Sequence, residues 1–225
     1  MRGWLQVYGD LEQMNFIQIV LTTKCQLTCW HCPMKDYRNT DDEPWVLTNE
    51  RLIPFLEKNI NPKEWVVELT GGEPALYKGI EELLTWLSEH CYRVLVKTNG
   101  LLPIGPHDGV KRVAAFHQLN NPPKYFDEYL IVDKIDRDAK EAYCRQHDIS
   151  YKVIGFNKEQ FDDVEHGFRL IAYIDPHGHQ VKCPASPVKV DIKNGVDVNT
   201  IERKPFQPIV ICRHCKAAVD AWRFL

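Results

Sequence analysis

The sequence predicts an α/β fold, a parallel sheet curled into an open six-stranded barrel. Three observations carry this. Phe16–Leu21, Trp65–Thr70 and Arg93–Thr98 are mostly apolar and rich in β-branched residues, the pattern of strands covered on both faces. Amphipathic helical patterns lie between them, so strand and helix alternate along the chain. With 225 residues, 44% of them hydrophobic and 26% charged, the chain can bury such a core without disulfides and is not disordered.

Each element has its own signal. Thr48–Lys58 is predicted helical because Leu52, Phe55 and Leu56 share one face and Thr48 can cap it, with Pro54 as a misfit. Leu76–His90 is the clearest helix, through Ile80, Leu83, Leu84 and Leu87. The third strand stops at Asn99-Gly100. Val113–His117 and Tyr129–Asp133 read as strands four and five. The connections into them are too short for helical crossovers and read as loops. A helix over Asp138–His147 and a sixth strand over Tyr151–Gly155 complete the barrel. The pattern then changes after Phe156. Phe168–Ile174 and His179–Lys182 flank Asp175-Pro-His-Gly178 as a hairpin, and residues 184–210 show no helical period. Residues 1–156 thus read as the barrel and 157–225 as a small, metal-stapled appendage.

Composition excludes several function classes. A net charge of -3 and a pI of about 6.3 leave no electrostatic footprint for nucleic acid and no basic patch for a membrane. The longest apolar runs, such as Ile17–Leu21, are too short to span a bilayer. The first residues carry Arg2, Asp10 and Glu12 and no apolar segment, so no secretory signal is read and a cytoplasmic location is expected. About fourteen residues before the first strand leave no fused leader-peptide-binding domain in this reading. In the cytoplasm the cysteines are expected as thiols or metal ligands. Cys25, Cys29 and Cys32 crowd one loop after the first strand, Cys212 and Cys215 form a pair, and Cys183 precedes that pair. Cys91 and Cys144 fall in or beside helices and read as bystanders, since free cysteine commonly packs as a small hydrophobe.

The order of motifs resembles one family. Cys25-x3-Cys29-x2-Cys32 follows strand one, Thr70-Gly-Gly-Glu-Pro74 ends strand two, Thr98-Asn-Gly100 ends strand three, and Lys152-Val-Ile-Gly155 lies in strand six. Over residues 16–156 this is similar to the radical S-adenosylmethionine (radical SAM) enzymes. The resemblance implies a partial (β/α)6, TIM-like barrel with its site where strand ends converge. It implies that Cys25, Cys29 and Cys32 hold a [4Fe–4S] cluster whose open iron is chelated by S-adenosylmethionine. Reductive cleavage of that cofactor then yields a 5′-deoxyadenosyl radical that abstracts a substrate hydrogen. Gly71, Gly72, Glu73 and Pro74 are the implied contacts to the methionine moiety, with the Glu73 carboxylate at its ammonium group. Thr98 and Asn99 join them. His31 is implied beside adenine, as are Val153 and Ile154, chiefly through apolar surface and backbone. His117 and Asp133 stand where the family places a ribose contact. For each a bland reading competes: an ordinary turn for the glycines, packing for His31 and Val153, solvated loop for His117 and Asp133. Trp30, Met34 and Tyr37 could shield the cluster or simply pack.

The C-terminal cysteines resemble a shortened SPASM or twitch appendage over about 165–215. That resemblance implies an auxiliary [4Fe–4S] cluster on Cys183, Cys212 and Cys215. The family's fourth cysteine is missing here, which leaves His166, a rearranged Cys144, the substrate or nothing as fourth ligand. A zinc site of the Cys3His type, drawing on His166, His179 or His214, is the alternative. The function expected is a radical SAM enzyme acting on a peptide or a small polar metabolite, with flavodoxin or ferredoxin as electron donor. A non-enzymatic iron–sulfur electron carrier or a zinc-held binding module is the runner-up. It explains the cysteines but not Gly71-Gly-Glu-Pro74 at a strand end. Short family members include 7-carboxy-7-deazaguanine synthases, whose upstream pattern is not found here.

Overall fold

The computed structural model describes residues 14–29, 32, 39, 47–132, 136–154, 171–174 and 180–181. The elements in order are β1 (Asn15–Val20), α1 (Asn49–Asn59), β2 (Trp65–Thr70), α2 (Ile80–Glu89), β3 (Arg93–Thr98), β4 (Val110–Ala115), β5 (Glu128–Val132), α3 (Arg137–Gln146), β6 (Tyr151–Ile154), β7 (Ile171–Ile174) and β8 (Gln180–Val181). They form one sheet in the order β6-β5-β4-β3-β2-β1-β7-β8. Every pairing is parallel except β7 with β8. The fold is α/β, with its first six strands laid side by side in chain order.

Pleating assigns the faces. Ile17, Ile19, Leu21, Val67, Leu69, Val94 and Val96 pack against Leu52, Phe55 and Leu56 of α1 and Leu83, Leu84 and Leu87 of α2 in one core. A second, smaller core joins Ala114, Phe116, Tyr129 and Ile131 to Cys144 of α3. The opposite face of the sheet carries Phe16, Gln18, Glu68 and Lys97. There Gln18 Nε2 donates to Glu68, and Lys97 Nζ lies 2.9 Å from Glu68 Oε2. A charged layer thus sits inside the sheet's inner face, beneath the strand ends.

Several boundaries differ from the sequence expectation, each for a local reason. The long helix expected from Leu76 starts at Ile80. Pro74–Leu76 form a separate 3-10 turn, and Gly79 turns the chain left-handed at φ 91°. Tyr77 Oη donates to Asn49 Oδ1 at 3.0 Å, and Asn49 Nδ2 donates to the Gly79 carbonyl at 2.9 Å, which holds this break. Strand four occupies Val110–Ala115 rather than Val113–His117. Its polar start was hidden because Lys111 and Arg112 are held by Glu128 and Asp127. Thr48 does sit at the N-terminal cap of α1, yet it makes no capping bond. Its hydroxyl serves the Glu50 carboxylate, which lowers the pKa of that exposed group. Pro54 is accommodated inside α1. As expected, no helix forms between β3 and β4 or between β4 and β5.

The hairpin expected after Phe156 is present as β7 and β8, with Tyr173 opposite Val181. It is not detached from the sheet. β7 lies parallel to β1, Phe16 opposite Ile171 and Ile19 opposite Ile174. Tyr173 and Ile174 are buried, and the Tyr173 ring meets Phe16 edge-on at 6.5 Å. Among the described residues no helix is long and apolar enough to cross a membrane.

Candidate active site

The site grows from the ends of β1, β2 and β3. Beyond β1 the ladder continues: Leu21 N–H donates to the Thr70 carbonyl at 2.8 Å, Gly72 N–H to Thr22 at 2.7 Å, and Glu73 N–H to Lys24 at 2.7 Å. The cysteine loop is therefore launched while still hydrogen-bonded to the Gly71-Gly-Glu-Pro74 segment. Only glycine allows this approach. A Cβ on Gly71 would lie 2.5 Å from the Thr22 carbonyl oxygen, and one on Gly72 would lie 2.2 Å from that of Lys24. Gly71 also has φ 148°, which L side chains seldom adopt.

Asn39 holds the loop from the other side. Its Oδ1 accepts from Cys25 N–H at 3.0 Å, its own N–H donates to the Thr23 carbonyl at 3.1 Å, and it takes a left-handed φ of 58°. Leu27 N–H donates to Cys25 Sγ at 3.4 Å, and Cys32 N–H donates to the Cys29 carbonyl at 3.3 Å. Cys25, Cys29 and Cys32 are all half-buried and outside any disulfide.

Glu73 ties strand ends together. It has no exposed surface. Oε1 accepts from Ala75 N–H at 3.0 Å and from the Thr98 hydroxyl at 2.6 Å, and Oε2 accepts from Asn99 N–H at 2.7 Å. Burial raises its pKa, and these donors only partly offset that. The carboxylate expected at the cofactor's ammonium is thus enclosed by the protein's own donors. Pro74 is buried and opens the 3-10 turn. Asn99 reaches the cysteine loop, because its Oδ1 accepts from Gln26 Nε2 at 3.2 Å and from Leu101 N–H at 3.0 Å. The Leu101 bond fixes the amide orientation and leaves Asn99 Nδ2 buried without an acceptor among the described residues.

The remaining expected residues divide. His117, just past β4, brings Nδ1 to 3.6 Å from Cys29 Sγ. Ile154 ends β6 buried, whereas Val153 packs against the core beside α3, which leaves only its backbone for a ligand at the strand ends. His31, Asp133, His166, Cys183, Cys212 and Cys215 lie outside the described residues, as do Trp30, Met34 and Tyr37. Cys144 is buried within α3 and burial pushes its thiol up to about 11, while Cys91 is exposed after α2. Both remain apart from the cysteine loop. Gln26 and Asn39, which shape that loop, went unnoticed in the sequence. Gln26 occupies a variable position inside the motif, and Asn39 is seven residues beyond Cys32 with no spacing to mark it.

Comparison with known proteins gives the same direction. No family model matches the chain. It is 27% identical over 174 residues to the GTP 3',8-cyclase of Clostridium perfringens (strain 13 / Type A), across 70% of this chain and 52% of that protein. The GTP 3',8-cyclase of Peptoclostridium acidaminophilum is 26% identical over 223 residues, 90% of this chain and 59% of that protein. The 7-carboxy-7-deazaguanine synthase of Clostridium acetobutylicum is 34% identical over 110 residues, 48% of this chain and 44% of that protein. The crystal structure of Streptococcus suis SuiB bound to S-adenosylmethionine superposes with a TM-score of 0.51 at 11% identity, covering 97% of this chain and 68% of that one, a likeness of fold. The cysteine loop docked on Gly71-Gly-Glu-Pro74 agrees with these relatives. In motif order and in sequence the chain is similar to the radical SAM enzymes. It spans about half the length of the curated relatives it matches.

The family implies a [4Fe–4S] cluster and S-adenosylmethionine, and the donor set fits them. Among the described residues no three ligating side chains converge as they would on a single ion. A cube does not ask for that, because each thiolate takes its own iron. Three thiols on one docked loop, with an N–H already directed at Cys25 Sγ, suit a cluster better than a four-coordinate ion.

Proposed function

We propose that this radical SAM enzyme cleaves S-adenosylmethionine reductively at a cluster held by Cys25, Cys29 and Cys32 and removes a hydrogen from a peptide or a small polar metabolite, nucleotides included. The observation that carries the reading is the backbone pairing of Gly72 and Glu73 with Thr22 and Lys24, which fixes the thiols beside the strand-end turns. When bound, the cluster supplies one electron, and the cleaved cofactor supplies the hydrogen-abstracting radical. The chain's own residues bind and orient. Gly71 and Gly72 leave room for the loop, and Asn39 and Gln26 hold its two sides. Glu73 sets the positions of Thr98 and Asn99. Asn99 Nδ2, buried and unmatched, is the donor we assign to an acceptor oxygen of the bound cofactor or substrate. Ile154 and the backbone of Val153 face adenine in this reading, with His31 and Asp133 completing the cofactor contacts.

Cys183, Cys212 and Cys215 hold the auxiliary cluster in this proposal, with His166 or nothing as fourth ligand, on an appendage that begins at residue 157 and returns to the sheet through β7. Zinc there would serve only as a staple, because it has no accessible redox state. The enzyme works in the cytoplasm, reduced by flavodoxin or ferredoxin. The test is anaerobic reconstitution, then S-adenosylmethionine and dithionite. We expect 5′-deoxyadenosine from the wild type and none from the Cys25→Ala/Cys29→Ala/Cys32→Ala variant. A fully loaded wild type that releases none would favour the electron-carrier reading. About four irons per chain remaining in the triple variant supports the auxiliary cluster, and zinc alone ends it.

A further inference from the structure

His117 was expected at a cofactor ribose, yet its ring addresses the cysteine loop. Nδ1 stands 3.6 Å from Cys29 Sγ, across 88 positions of sequence. The placement is imposed from behind. Phe116 N–H donates to the Leu130 carbonyl at 2.9 Å, and the Phe116 ring is 1% exposed against Tyr129 and Tyr143. Successive side chains of an extended chain point to opposite faces, so anchoring Phe116 in the helix-side core turns His117 toward the loop. A thiolate bound to iron offers only lone pairs. The ring nitrogen that faces it must carry the hydrogen, which selects the Nδ1–H tautomer.

We propose that His117 is a positioning residue that donates a hydrogen bond from Nδ1 to the Cys29 thiolate and thereby raises the reduction potential of the cluster. The inference rests on the assignment of Cys25, Cys29 and Cys32 as cluster ligands. Hydrogen bonds to cluster sulfurs and exclusion of solvent set the potential of such centres. The added electron spreads onto the sulfurs, so a donor at Cys29 stabilises the reduced form more than the oxidised one. Leu27 N–H plays the same part at Cys25 with a backbone donor. The Cys29 donor is a side chain and can be removed without altering the loop.

Two measurements test this on the full-length reconstituted protein. The first is pulsed electron paramagnetic resonance on the reduced cluster with 15N-labelled histidine, in the signal that shifts when S-adenosylmethionine is added. A coupling to a ring nitrogen should appear in the wild type and vanish in His117→Asn. The second is redox titration. His117→Leu should lower the midpoint potential by about 59 mV, the one-electron equivalent of a tenfold change. His117→Asn, whose amide N–H can take the place of Nδ1–H, should restore most of it. Absence of the coupling, or its persistence in His117→Asn, overturns the proposal even where His117→Leu fails to hold iron. So does a potential in His117→Leu equal to that of the wild type. A wild-type chain that binds no iron at Cys25, Cys29 and Cys32 fails earlier and overturns the underlying assignment with it.

Discussion

Glu73 carries a carboxylate into a place closed to water, where the donors of Ala75, Thr98 and Asn99 meet it. Burial outweighs those donors and raises its pKa above 4.5. A raised folded pKa means the native state holds the proton more tightly than the unfolded chain. The stabilisation is complete below about pH 4.5 and is lost as pH rises through the folded value. Denaturation from acid toward neutral pH should therefore show the wild type losing stability relative to Glu73→Gln, and parallel profiles would contradict this. Glu73→Ala leaves three donors without their acceptor and should cost about 3 kcal/mol by urea denaturation. The sequence marks Glu73 as a member of a strand-end motif. It does not show that two of the three donors, the Thr98 hydroxyl and the Asn99 N–H, come from the end of β3, because contacts between distant strand ends leave no trace in local sequence.

The elements around the site show where pattern reasoning works and where it stops. The period of β1, β2 and β3 is uniform, and all three are visible as sequence. Strand β4 is only partly so: Val113–Ala115 are legible as strand, while its start is not, since Arg112 looks like a loop residue until its partner is known. Its guanidinium binds both Asp127 oxygens at 2.7 and 3.0 Å and the Ile104 carbonyl at 2.8 Å. With Ile104 buried in the main core, this clamp closes the sheet over the two connections that lack helices. Burial alone would raise the Asp127 pKa, but the hydrogen bonds from Arg112 overcome it and the net shift is downward. Its stabilisation is present above pH 3.8 and disappears as pH falls through the lower folded value. Asp127→Asn should cost about 1 kcal/mol at neutral pH, since the pair is part-exposed and screened. The gap should close in acid, and a constant gap in thermal melts down to low pH would refute the clamp. The cysteine loop makes a sharper demand. Gly72→Ala puts a methyl 2.2 Å from the Lys24 carbonyl oxygen, with backbone on both sides and nothing to rotate away. We expect a folded protein by circular dichroism with severalfold less iron retained after reconstitution. Wild-type iron content would show that the loop does not depend on this contact.

For the molecule as a whole, the pairing of β7 with β1 decides how the chain can be divided. The sequence shows a change of pattern after Phe156 and a hairpin signal, and both are correct as local readings. Which edge the hairpin joins was not legible, because parallel pairing across more than a hundred residues leaves no periodic mark. Ile174 belongs to the same core as Ile17 and Leu52. Cutting at residue 156 would uncover the edge of β1, an apolar strand with unpaired backbone groups, which is a template for self-association. A fragment of residues 1–156 should aggregate or melt well below the full chain. A monomeric fragment with full-length stability, by light scattering and calorimetry, would show that β1 needs no second neighbour.

That pairing also has a meaning in time. Phe16 leaves the ribosome early, and its partner Ile171 follows 155 positions later. At ~5–20 residues per second the wait is roughly eight to thirty seconds. Throughout it, the strand that launches Cys25, Cys29 and Cys32 has a neighbour on one side at most. On the proposed assignment of those thiols, iron delivered in that interval would reach a half-built scaffold. Iron delivered afterwards would reach a strand bonded on both sides, and the schedule of metal supply would become part of maturation.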